Sequence, residues 1–135
     1  FEELIIHKVD LKGIILKPNM ILSGNKSKEK ISNEEVAKLT LECLKSSVPS
    51  EVPGIAFLSG GQSEIEATEN LNLINKHNDT NFIMSYSYGR ALQQAALKAW
   101  SGNVENETAA QEVFSHRAKM NKLAALGEWE SSLEN

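Results

Sequence analysis

Three short apolar runs alternating with amphipathic segments predict an α/β protein built on a parallel sheet. Three observations carry that prediction. The runs are continuous rather than strictly alternating, as expected of parallel strands buried on both faces. Each stops at proline or glycine. The segments between them open with helix-capping sequences. Parallel strands need right-handed crossovers, which leaves either an open α/β sheet or part of a (β/α)8 barrel.

In chain order, residues 1–9 read as an incoming helix, and with no Met at position 1 the chain is expected to be a piece of a longer one. The first strand is Gly13-Ile14-Ile15-Leu16-Lys17, ended by Pro18, which cannot donate to a ladder. Ser23 to Lys30 is a polar loop. Ser32-Asn33-Glu34-Glu35 then forms a capping box, with Val36, Leu39, Thr40, Cys43 and Leu44 at helical spacing until Pro49 stops the helix. Cys43 falls on that stripe and is expected in the core.

The second strand is Gly54 to Ser59, stopped by Gly60-Gly61. Ser63-Glu64-Ile65-Glu66 is a second capping box, and Ala67, Leu71 and Ile74 share one face beyond it. The third strand runs from Asn81 to Tyr88 and stops at Gly89. Two helices follow. Ala91 to Trp100 is apolar along Leu92, Ala95, Ala96 and Ala99, whereas Glu107 to Leu126 aligns Ala109, Val113, Met120 and Ala124 before Gly127 ends it. Three strands alone cannot close a barrel and would leave two bare edges.

Composition narrows the function. The 135 residues allow one compact domain of roughly 150 residues at most. A net charge of −4, from 14 basic and 18 acidic residues, argues against nucleic acid as a partner. No apolar run approaches the roughly 18 residues that would span a membrane. A single cysteine cannot form an internal disulfide, which fits a reducing compartment.

Ligands of parallel α/β folds bind at the carboxyl ends of the strands. Lys17 closes an otherwise apolar strand there. Partial desolvation lowers a lysine's pKa and frees an amine for Schiff-base chemistry, although a lysine in that position also buries its stem and holds its ammonium in water. Ser59-Gly60-Gly61 is a strand-end turn whose N–H groups make an anion nest, or a plain βα turn. Ser87-Tyr88-Gly89-Arg90 repeats the idea with a guanidinium able to bind phosphate bidentately, or to cap a neighbouring helix or pair with surface acids. Barrels bind phosphate in the loops after their last two strands, and a lysine one strand earlier would face the carbon skeleton of the same ligand. The pattern points to carbonyl chemistry on a sugar phosphate. His7, His77 and His116 have no partner at metal-ligand spacing, Trp100 and Trp129 read as packing residues, and neither a P-loop nor GxGxxG is present.

Ile15-Leu16-Lys17-Pro18-Asn19-Met20, Phe57 to Glu64, Ser87 to Gln93, Ala96 to Trp100 and Leu123 to Gly127 resemble class I fructose-bisphosphate aldolase, in the family's order and nearly throughout the chain. The likeness is weaker from Asn25 to Ser32 and beyond Gly127. It implies the C-terminal three βα units of a TIM (β/α)8 barrel, with residues 1–135 as the C-terminal part of a single domain. It also implies Lys17 as the Schiff-base residue. Ser59, Gly60, Gly61, Ser87, Gly89 and Arg90 are implied as phosphate- and substrate-binding residues. The reaction implied is reversible cleavage of fructose 1,6-bisphosphate to dihydroxyacetone phosphate and glyceraldehyde 3-phosphate. The iminium is the electron sink, so no metal or other cofactor is called for. A cytoplasmic homotetramer is the family's usual form, with a plastid address as the other option.

The family's catalytic acids and its tyrosine-ended tail lie outside these residues, so the 135 residues alone are expected to be inactive. Glu128-Trp129-Glu130 stands where many relatives carry a basic-aromatic pair. A non-catalytic aldolase-like protein that binds sugar phosphates or scaffolds other proteins is the alternative.

Overall fold

The three apolar runs form one parallel sheet in the order β1–β2–β3, and the computed structural model describes residues 1–135. The strands are short: β1 is Ile15–Leu16, β2 Gly54–Phe57 and β3 Ile83–Tyr86. Ile15 pairs with Gly54 and Leu16 with Ile55, while Gly54, Ile55, Ala56 and Phe57 pair with Ile83, Met84, Ser85 and Tyr86. Five helices accompany them: α1 (Glu2–Ile6), α2 (Asn33–Ser47), α3 (Glu64–Lys76), α4 (Arg90–Trp100) and α5 (Glu107–Ala125). The predicted βαβαβα order and the incoming helix are both present. Each strand is shorter than its apolar run: Gly13 falls in a 3-10 turn over Leu11–Gly13, Asn81 and Phe82 precede β3, and Lys17, Leu58 and Ser87 follow the regular strands.

One face of the sheet carries the core. Ile55, Phe57 and Met84 point into a cluster with Ala37, Leu41 and Leu44 of α2, Ala67, Leu71 and Ile74 of α3, and Met120 and Ala124 of α5. The other face is bare. Ile15 is 70% exposed and Ile83 76% exposed, in register on either side of Gly54. Burial of both faces, which the continuous apolar runs predict, is therefore not realised within these residues. All the crossover helices pack on one side, and the strands alternate accordingly.

The helix starts follow local chemistry. At α3 the capping box is complete: Glu66 N–H donates to Ser63 Oγ and Ser63 N–H to Glu66 Oε2, both at 3.2 Å. At α2 only half of the predicted box forms. Glu35 N–H donates to Ser32 Oγ at 3.2 Å, but the exposed Glu35 carboxylate instead lies 3.9 Å from Lys38, on the outer side of the helix.

Cys43 is exposed rather than in the core. The buried stripe of α2 is Val36, Ala37, Thr40, Leu41 and Leu44, and Cys43 lies about 90° round the helix from its centre. Helix α4 buries only Ala91 fully, and Trp100 is 44% exposed. Ala109, predicted on the packed face of α5, is exposed. Gly127 ends α5 at φ +71°, as a C′ residue should.

Polar groups also reach the interior. The Arg117 guanidinium of α5 forms a fork with Glu134, at 2.9 and 2.6 Å, and donates to Thr68 Oγ1 of α3 at 3.2 Å. Trp129 Nε1 donates to the same carboxylate at 2.9 Å, and Trp129 N–H donates to Asn72 Oδ1. These bonds fasten residues 129–134 across α3 and α5.

Candidate active site

Lys17 follows the last residue of β1, and pairing continues past it: Leu58 N–H donates to the Pro18 carbonyl at 3.0 Å. Extending the register sets Lys17 beside Ala56, whose own partner is Ser85. By strand alternation Lys17 shares the bare face with Ile15, and it is exposed there. The following loop is held down by buried Met20 and by Ile21 N–H, which donates to Thr40 Oγ1 of α2 at 2.9 Å. The backbone carrying Lys17 is thus anchored on both sides. The side chain makes no ion pair.

At the end of β2 the chain turns through Ser59-Gly60-Gly61-Gln62, closed by Gln62 N–H donating to the Ser59 carbonyl at 3.2 Å. The shape demands glycine at position 61, where φ is +82°, and a Cβ on Gly60 would press on Leu58 Cδ1 at 3.1 Å. The N–H groups of Ser59, Gly60 and Gly61 make no backbone hydrogen bond, which leaves them available to an anion. The Ser63-capped N-terminus of α3 lies immediately beyond.

At the end of β3, Ser87 N–H donates to the Phe57 carbonyl at 2.8 Å, tying this turn to β2. Gly89 is the N-cap of α4 and offers no side-chain cap, so the Arg90 and Ala91 N–H groups stay open, while Leu92 N–H donates to the Gly89 carbonyl at 3.1 Å. Arg90, the first residue of α4, is exposed and forms no ion pair.

Ser59, Gly61 and Arg90 converge on one cleft of about 250 Å³, together with Gln62 and Gln94. Gly60 and Gly61 also wall an adjoining cleft of about 360 Å³ with Asn19, Met20 and Leu22. Lys17, Ser87 and Gly89 line neither. Gln94 lies outside every site segment that the sequence marks, and Gln62 is marked only as the end of the strand-end turn, with no role of its own. Gln94 stands four residues after Arg90, a helical spacing that places it on the same face. Gln62 is held by Asn70, whose Nδ2 donates to Gln62 Oε1 at 2.8 Å. Asn70 is a buried α3 residue that no motif marks. A larger groove of about 630 Å³, between α4 and α5, contains none of the predicted site residues.

The family model for class-I fructose-bisphosphate aldolase matches residues 1–135. The chain belongs to the class-I fructose-bisphosphate aldolase family. It is 47% identical over 135 residues to the fructose-bisphosphate aldolase of Echinococcus multilocularis, covering 99% of this chain and 37% of that protein. It is 52% identical over 123 residues to the chloroplastic fructose-bisphosphate aldolase 2 of Pisum sativum, covering 91% and 35% respectively. A fructose-bisphosphate aldolase from Plasmodium falciparum, solved in complex with TRAP and a small-molecule inhibitor, superposes with a TM-score of 0.88 at 44% identity. That match covers 91% of this chain and 35% of the solved one. The chain therefore spans little more than a third of the length of these relatives, and its α/β unit is one part of a larger fold.

Proposed function

We propose that the protein carrying this chain is a glycolytic fructose-bisphosphate aldolase in which Lys17 is the Schiff-base residue. Ser59, Gly60, Gly61, Ser87, Gly89 and Arg90 hold a substrate phosphate. One observation carries the reading: Ser59, Gly61 and Arg90 meet in one cleft at the carboxyl ends of β2 and β3, one strand along from an unpaired lysine at the end of β1. The Lys17 amine adds to the C2 carbonyl of fructose 1,6-bisphosphate, and loss of water gives an iminium. The C4 hydroxyl then loses its proton to a base supplied outside residues 1–135. The C3–C4 bond breaks and its electron pair moves to the iminium nitrogen as an enamine. Glyceraldehyde 3-phosphate leaves, the enamine is protonated at C3, and hydrolysis releases dihydroxyacetone phosphate and the free lysine.

The bare face bearing Ile15, Gly54 and Ile83 supports closure of the sheet into a (β/α)8 barrel, where that face is the interior. In this reading residues 1–135 are the C-terminal part of a single domain and are inactive alone. The whole protein is a homotetramer, which ultracentrifugation of the full-length protein checks, and it works in the cytoplasm or, as the other option, in a plastid. The deciding test is borohydride reduction of the full-length protein with dihydroxyacetone phosphate, followed by peptide mass mapping. A reduced adduct on Lys17, lost in Lys17→Arg together with cleavage activity, is the expected result. An active protein with its adduct on another lysine overturns the assignment.

A further inference from the structure

The candidate phosphate cleft lies between the Ser59–Gln62 turn and the start of α4, which follows the Ser87–Gly89 turn, and the two walls belong to different βα units. Their relative position needs a cross-link, and the residue between Ser87 and Gly89 supplies one. Tyr88 is buried, and its hydroxyl donates to the carbonyl of Ala67 at 2.9 Å. Ala67 is in the first turn of α3, the helix that begins directly after the Ser59–Gln62 turn, and its own N–H donates to the Ser63 carbonyl at 3.0 Å. The Tyr88 hydroxyl thus ties the second turn to the base of the first. Its ring also packs on Tyr86, with centroids 5.4 Å apart. Tyr86 reaches the other helix, with its hydroxyl 3.4 Å from the Ala118 carbonyl of α5. Strand alternation then directs Ser87, between the two tyrosines, toward the bare face that carries Lys17.

We infer that Tyr88 is a positioning residue: it sets the separation of the Ser59–Gly61 and Ser87–Arg90 turns, and through that separation the affinity of the cleft for a phosphate group. The inference rests on the phosphate role proposed for this cleft and adds a residue that touches no ligand. Burial supports it, because it drives the phenol pKa upward and keeps the hydroxyl protonated as a donor. Phosphate affinity is sensitive to such a tie because Arg90 and the open N–H groups must reach the same oxygens together.

The test compares Tyr88→Phe with Tyr86→Phe in the full-length protein, using inorganic phosphate as the probe. Each change removes one hydroxyl bond to a helix carbonyl and keeps the ring, so both act as packing-neutral variants. Tyr88→Phe is expected to weaken phosphate binding about five- to tenfold, to raise KM for fructose 1,6-bisphosphate in parallel, and to leave kcat within about twofold. Tyr86→Phe is expected to leave phosphate binding within about twofold at a similar melting temperature. Unchanged phosphate affinity in Tyr88→Phe, or an equal loss in Tyr86→Phe, overturns the positioning role. If Tyr88→Phe does not fold, amide exchange in the wild-type protein decides. The inference expects residues 59–63 and 87–91 to open as one unit, and separate opening rates overturn it. Trapping at Lys17 judges the aldolase reading, whereas phosphate affinity needs no turnover, so the two can fail separately.

Discussion

The fork between Arg117 and Glu134 is a sharp test of how this chain is held together. Arg117 is 5% exposed, and Glu134 takes two bonds from it and a third from Trp129. Glu134→Gln keeps the shape but removes the charge. An uncompensated buried guanidinium then remains, at a cost of about 3–5 kcal/mol. Glu64, 3.9 Å from the same guanidinium nitrogen, can take over part of the charge, which places the expected loss near the lower end, at about 3 kcal/mol. That corresponds to an increase of about a hundredfold in opening of the 129–134 segment.

The assay is amide and indole exchange at Trp129 in the full-length protein, with the melting temperature alongside. The double variant Arg117→Met/Glu134→Leu removes both charges together and is expected to recover most of the loss. The reasoning is refuted if Glu134→Gln exchanges like the wild type, or if the double variant is worse than either single one.

Proton linkage gives the same pair a sign. Burial pulls the Glu134 carboxyl upward, but the hydrogen bonds from Arg117 and Trp129, together with the charges of Arg117 and His116, outweigh it and hold the pKa below its ordinary 4.5. The stabilisation is therefore complete above that unfolded value and is lost as pH falls through the lower folded one. Trp129 protection in the wild type should fade only below about pH 4.5, a dependence that Glu134→Gln removes. Ser63→Ala deletes the α3 cap and should lower stability by about 1 kcal/mol in urea denaturation. Gly127→Ala is expected to lower it by about 1–2 kcal/mol, because the site needs φ +71° and a Cβ there would meet Lys76 Cγ and N at 3.3 Å. Cys43 should alkylate in the native protein without loss of activity, as mass spectrometry of the labelled enzyme would show.

Much of the fold was legible because it is written in local chemistry. The capping box at Ser63, the stop at Gly127 and the stripe of Ala67, Leu71 and Ile74 each depend on residues within a turn or two of one another. Cys43 lies outside the core that its spacing predicts, because a helical spacing of apolar residues does not say which side of its centre is buried. The missing half of the Ser32 box has a similar origin, since Glu35 had a rival partner in Lys38. Glycine and serine at two strand ends marked the cleft, yet Gln62 and Gln94 carry no such mark. Their role comes from where α3 and α4 set them.

By itself the sequence determined the order of strands and helices, the turns that need glycine, and the lysine that ends the first strand. Those follow from backbone sterics, capping and the period of the apolar residues, all short-range effects. Only the tertiary structure decided which sheet face is bare, that Arg90 meets Ser59 and Gly61, and that Arg117 and Tyr88 are buried with partners 17 and 21 residues away. A buried polar group is tolerable only when a distant group completes its hydrogen bonds, and no local pattern in the chain records that partner.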